Sequence, residues 1–178
     1  MVPAHFTEVV ARNAVDEVLT IEFGPRWPWV QTFELSLPNP RNGYSPRRDL
    51  QLSRGRMPTT GKVIAELKFV FWCHMFTSRH ETRLWDKHIL SLFPGSSEVI
   101  AATLRLRIYN DLEVIRRVRN RVAHHEPIHA YDVADALQRM HEIVAARSGE
   151  TALWLGTIDH SGTVLANRPI PGTAGPTT

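Results

Sequence analysis

Seven aliphatic residues, Ile100, Leu104, Ile108, Leu112, Ile115, Val118 and Val122, recur at spacings of four and three along one stretch of the chain. That period belongs to a helix with one apolar stripe, and the stripe has to be covered. Ser96 or Ser97 can cap its start. Pro127 holds Glu126 out of the α region, so the helix ends near His124 or His125. A helix over about 97–124 is about 40 Å long at ~1.5 Å per residue. A rod of that length, apolar on one side only, requires other helices packed along it.

The rest of the sequence supplies them. Phe6, Val10, Ala14, Val18 and Ile21 predict a helix over about 4–23, stopped by Gly24-Pro25. Residues 24–58 hold Pro25, Pro28, Pro38, Pro40, Pro46 and Pro58 with an Asn42-Gly43 turn, and read as a long Pro-rich loop with a short extended piece at 29–37. Thr59 or Thr60 can cap a helix over about 61–76, apolar nearly all round and therefore buried. A shorter helix follows at about 80–92, with Leu84, Trp85, Ile89 and Leu92 inward. Asp132 can cap one at about 133–147, with Val133, Leu137, Met140 and Val144 inward, and Ala152 to Leu155 adds one more turn. The expectation is an all-α bundle of about five helices: a domain over 1–150, then a C-terminal extension over 151–178 that is disordered from about 168.

Composition narrows the function classes. With 178 residues and 43% hydrophobic content the chain suffices for one core. No apolar run reaches the roughly 20 residues that span a membrane, because Glu66, Lys68 and His74 interrupt the nearest candidate, 63–76. No basic segment followed by an apolar one marks a secretory signal. The lone Cys73 forms no internal disulfide and fits a reducing cytoplasm, the expected location. Formal charge is +3, and six arginines (Arg105, Arg107, Arg116, Arg117, Arg119 and Arg121) fall within the long helix. That local excess points to an anionic partner such as RNA.

Chemistry concentrates where this helix ends, at Arg119-Asn120-Arg121-Val122-Ala123-His124-His125-Glu126-Pro127. At about 100° per residue, with Ile115 at zero, Arg119 falls about 40° away, on the border of the buried face. Asn120 falls about 140° away and His124 near ~180°; His125 returns toward Val118 and reads by geometry as a packing residue. His124 therefore meets Arg119 only where the helix ends, or across two subunits. Such a trio can cleave RNA through its own 2′-hydroxyl. Imidazole exchanges protons near neutral pH, guanidinium neutralises phosphate oxygens, and an amide orients without titrating. Arg116, Arg117 and Arg121 would track the RNA backbone. The bland reading uses the same residues: a solvated arginine face, and a histidine favoured by the helix dipole. Arg12-Asn13 is a second Arg-Asn pair, read as structural.

One motif misleads. His125-Glu126-Pro127-Ile128-His129 matches the H-E-x-x-H zinc-protease pattern. That pattern needs both imidazoles on one face of a continuous helix, and Pro127 forbids the helix. No metal or cofactor is expected.

Arg119-Asn120-x-x-x-His124, of the form R-x4-H with a polar residue after the arginine, resembles the signature of HEPN-domain proteins, many of which are metal-independent RNases. The longer string RNRVAHHEPI is similar to the Abi-like (abortive infection) family within that group. So are GKVIAELKFVFWCHMF with Leu84-Trp85 after it, and HFTEVVARNAV leading to Gly24 and Trp27. The likeness covers roughly residues 5–150. It implies a HEPN-like helical fold, a homodimer with a composite cleft, RNA as substrate, and a role in phage defence or a toxin–antitoxin system with a cognate antitoxin or regulatory protein. It carries catalytic roles onto Arg119, Asn120 and His124, with His125 as an alternative because the pattern tolerates extra spacer residues. Members carry a further helical segment ahead of the position of His5, where only Met1 to Ala4 stand here, so a domain short of those helices is expected. A catalytically silent HEPN module binding RNA, a nucleotide or a protein partner shares all these features.

Overall fold

Helix α1 (Val2–Phe23) places Val10, Ala11, Ala14, Val15, Val18 and Leu19 in the core. It ends at Gly24, whose φ of 83° is a conformation that glycine adopts without strain. The computed structural model describes residues 2–167, all in helices or the turns joining them, with no strand among them. The disorder expected from about 168 lies outside the described residues.

The Pro-rich segment is not a loop. A 3-10 turn (Trp27–Trp29) leads to α2 (Gln31–Ser36) and α3 (Pro46–Arg56). Its prolines sit where helices start and stop. Pro46 occupies the first turn of α3 behind Ser45, whose hydroxyl accepts from Arg48 N at 3.2 Å, and Pro58 follows the last residues of the helix. Trp27, Phe33, Leu37 and Leu50 are buried. Arg47 donates to the carbonyl oxygens of Leu35 and Leu37, and Arg54 to that of Pro28 at 2.9 Å, which ties α3 to the end of α2 and to the 3-10 turn within the segment.

The helix expected at 61–76 is two helices. α4 (Thr60–Glu66), capped by Thr59, and α5 (Phe69–Met75) are separated by Leu67 and Lys68 in extended conformation. The break gives an all-round apolar stretch two places to bury itself. Val63 and Leu67 are buried at the α4 end, where α4 adjoins α3, while Phe71, Trp72, Cys73 and Met75 are buried on α5, which adjoins α1 and α7. After a 3-10 turn (Ser78–His80) and a π-helical turn (Glu81–Trp85), α6 (Asp86–Leu92) completes the expected 80–92 element. Trp85 stacks on Phe76 with centroids 4.3 Å apart, and its indole N–H donates to Met75 O at 2.7 Å.

Helix α7 (Ala101–Ala123) starts later than the serines suggested. Ser96 Oγ accepts from Glu98 N, the Glu98 carboxylate accepts from Val99 N and Ile100 N, and Ile100 stays 59% exposed outside the stripe. The remaining stripe packs as expected, from Leu104 to Val118, with Val122 half-buried. α8 (Val133–Arg147), capped by Asp132, is the hub, packed against α1, α7 and α9. The single turn expected at 152–155 is a full helix, α9 (Gly149–Ile158), followed by α10 (Ser161–Ala166). Leu155 of α9 is fully buried. The described residues thus hold ten α-helices where about five were expected, because the Pro-rich segment, the Leu67-Lys68 break and the C-terminal stretch each add more.

Candidate functional site

The end of α7 is closed by its own backbone. His125 N donates to Val122 O at 3.2 Å and Glu126 N to Arg121 O at 2.8 Å, the paired bonds of a Schellman cap. His124 is the last half-helical residue, and His125 adopts the left-handed conformation with φ 55°. Both imidazoles are exposed. His125 is thus not the packing residue that helical geometry suggested, because the chain has left the helix before its side chain can return to the stripe. The segment from His125 to His129 lies outside any helix, so the shared face that H-E-x-x-H zinc binding requires is not formed.

Most arginines of α7 are already engaged. Arg105 is buried, donating to Glu81 at 2.7 Å and to Phe76 O at 2.7 Å, and it anchors the π-helical turn. Arg107 pairs with Glu142 at 2.6 Å. Arg116 makes a bidentate pair with Glu113, at 3.0 and 2.8 Å. This bond, working against burial, holds the Glu113 carboxyl below its ordinary range and raises the Arg116 guanidinium. Arg121 donates to Pro127 O at 2.9 Å, lies 3.4 Å from the Glu126 carboxylate and covers the Tyr131 ring, so it pins the loop that follows the helix. Arg117 is exposed and has no side-chain partner among the described residues. Of the three arginines expected to follow an RNA backbone, Arg117 is the one facing solvent unengaged.

Arg119 lies at the border of the core, as the helical geometry required. Its side chain is 41% exposed; one guanidinium nitrogen is 3.2 Å from Glu8 of α1, and another is 3.5 Å from the Asn120 side-chain oxygen. A half-exposed pair of this kind is worth at most about 1 kcal/mol, so an incoming phosphodiester can displace the carboxylate. Arg119 and Glu8 share a cleft of about 210 Å³ with Ala4, His5, Val122 and Ala123. Neither His124 nor His125 lines that cleft, and no hydrogen bond links either imidazole to Arg119 or Asn120. Within one chain the structure joins Arg119 to Asn120, Glu8 and His5, and leaves the C-terminal imidazoles facing outward.

Glu8 and His5 escaped sequence reasoning. They lie more than a hundred positions before Arg119, and only the packing of α1 beside α7 brings them together. The one hint available is that they stand one turn apart on the same helix face. No group of three or more His, Cys, Asp or Glu side chains placed to hold a metal occurs among the described residues, and none of their helices is long and apolar enough to cross a membrane. Comparison with known proteins finds no match: no family model, no curated protein and no solved structure is detectably similar to the chain.

Proposed function

We propose that the chain is a metal-independent RNA endonuclease of the HEPN kind, Abi-like in its motif, working in the cytoplasm in phage defence or a toxin–antitoxin system. The site would be a cleft shared by two copies. The observation that carries this reading is the arrangement at the end of α7. A half-exposed guanidinium stands beside an amide, and two solvent-facing imidazoles follow it without reaching it in the same chain. A second copy across a twofold axis would bring the motif imidazole of His124 to each Arg119 cleft. Arg119 would hold the non-bridging oxygens, Asn120 would orient them, and His124 would take the proton from the 2′-hydroxyl. The 2′-oxygen then bonds phosphorus, the bond from phosphorus to the 5′-oxygen breaks, and that oxygen takes up a proton. The products are a 2′,3′-cyclic phosphate and a 5′-hydroxyl end. Binding would be salt-sensitive.

A second reading is favoured by the Arg119–Glu8 ion pair: a catalytically silent module in which Glu8 keeps the guanidinium occupied and the surface binds RNA, a nucleotide or a regulatory protein. One experiment separates the two. Purified protein is incubated with labelled RNA in excess EDTA, alongside Arg119→Ala and His124→Ala. The nuclease reading expects cleavage in EDTA, reduced about 100-fold or more by either substitution. An inactive wild type that still binds RNA would favour the silent module, and cleavage surviving both substitutions would remove the assignment.

A further inference from the structure

Cleavage through a 2′-hydroxyl needs two proton-transfer groups, one for the attacking oxygen and one for the departing 5′-oxygen. The motif at the end of α7 accounts for the first. We infer that His5 is the second, the general acid that protonates the leaving group, contributed by the same protomer as Arg119.

The inference rests on the nuclease reading and on the cleft itself. His5 is solvent-exposed, lines the cleft with Arg119 and Glu8, and sits one turn before Glu8 on α1. A phosphodiester that displaces Glu8 from Arg119 would lie beside His5. The two imidazoles then reach the phosphate from different chains: His124 of one copy accepts the 2′-hydroxyl proton, and His5 of the other donates to the 5′-oxygen as its bond to phosphorus breaks. Each turnover leaves His124 protonated and His5 neutral, and exchange with water resets both.

The test compares two substrates that differ in what the leaving group demands. One is an RNA dinucleotide, whose 5′-alkoxide must be protonated. The other is the matching nucleoside 3′-(4-nitrophenyl phosphate), whose nitrophenolate departs without a proton. His5→Ala and His5→Gln are expected to slow dinucleotide cleavage about 100-fold or more while slowing release of nitrophenolate no more than about threefold. Folding stability, read as the denaturation midpoint, should match wild type, since the residue is exposed. Equal losses on the two substrates, or no loss on either, would overturn the role for His5 while leaving Arg119 and His124 untouched. A wild type that cleaves neither substrate would overturn this role together with the nuclease reading on which it rests.

Discussion

At His125 the backbone turns to φ 55°, a conformation in which a side chain crowds its own carbonyl and glycine does not. The cap needs that turn; it does not need the imidazole. His125→Gly should therefore raise stability by about 1 kcal/mol, read as a higher denaturation midpoint. If His124 is the catalytic imidazole, the same variant keeps its cleavage rate; a collapse in rate would transfer the role to His125. A second histidine reports on the core. His80 is only 3% exposed, and burial, with Arg79 and Arg83 close by, pushes its pKa down to about 4. Between that value and the ordinary ~6.5 the unfolded chain binds a proton that the folded chain refuses. Stability should be full above about pH 6.5 and fall as the pH drops toward 4, by about 3 kcal/mol at most. Denaturant unfolding across that window checks it, and His80→Gln should flatten the slope; an unchanged slope would show that other groups dominate.

The elements differ in how far their sequence announces them. The stripes of α7 and α8 are regular, their caps or stops are chemically distinct (Asp132, Pro127), and both helices end within a few residues of where the pattern places them. The position of Arg119 on the border of the core was legible for the same reason. The Pro-rich segment was not, because proline both breaks helices and starts them, and which it does depends on what the neighbouring residues bury. Phe33 and Leu50 decide it here, turning an apparent loop into α2 and α3. Phe33→Ala should cost about 3–5 kcal/mol by chemical denaturation, as for any fully buried aromatic. A cost under about 1 kcal/mol would return the segment to the status of a loosely held loop. The break at Leu67-Lys68 carries no proline or glycine, so local propensity could not announce it; it is imposed by the two separate surfaces that α4 and α5 cover. The cleft partners Glu8 and His5 were hidden for a related reason: their relation to Arg119 exists only once α1 lies beside α7.

For the whole molecule, the distribution of arginines says more than their number. Arg105 and Arg107 serve ion pairs that tie α7 to its neighbours, Arg116 pairs with Glu113 within α7, and Arg121 pins the loop after it. Within α7, the basic groups that are unpaired among the described residues or only weakly paired, Arg117 and Arg119, stand at its far end with the two exposed imidazoles of His124 and His125. One chain presents the Arg119 guanidinium in a cleft and the motif imidazoles, His124 and His125, outside it, so the proposed chemistry requires a second copy. Mixing two inactive variants tests this most directly. Arg119→Ala and His124→Ala proteins, each inactive alone, are combined under conditions that let subunits exchange, and RNA cleavage is followed in EDTA. If each site takes its guanidinium from one copy and its imidazole from the other, half of the randomly formed dimers regain one of two sites, and activity returns to about a quarter of wild type. A mixture that stays inactive, although exchange is verified by a tagged subunit, would contradict a site shared between chains.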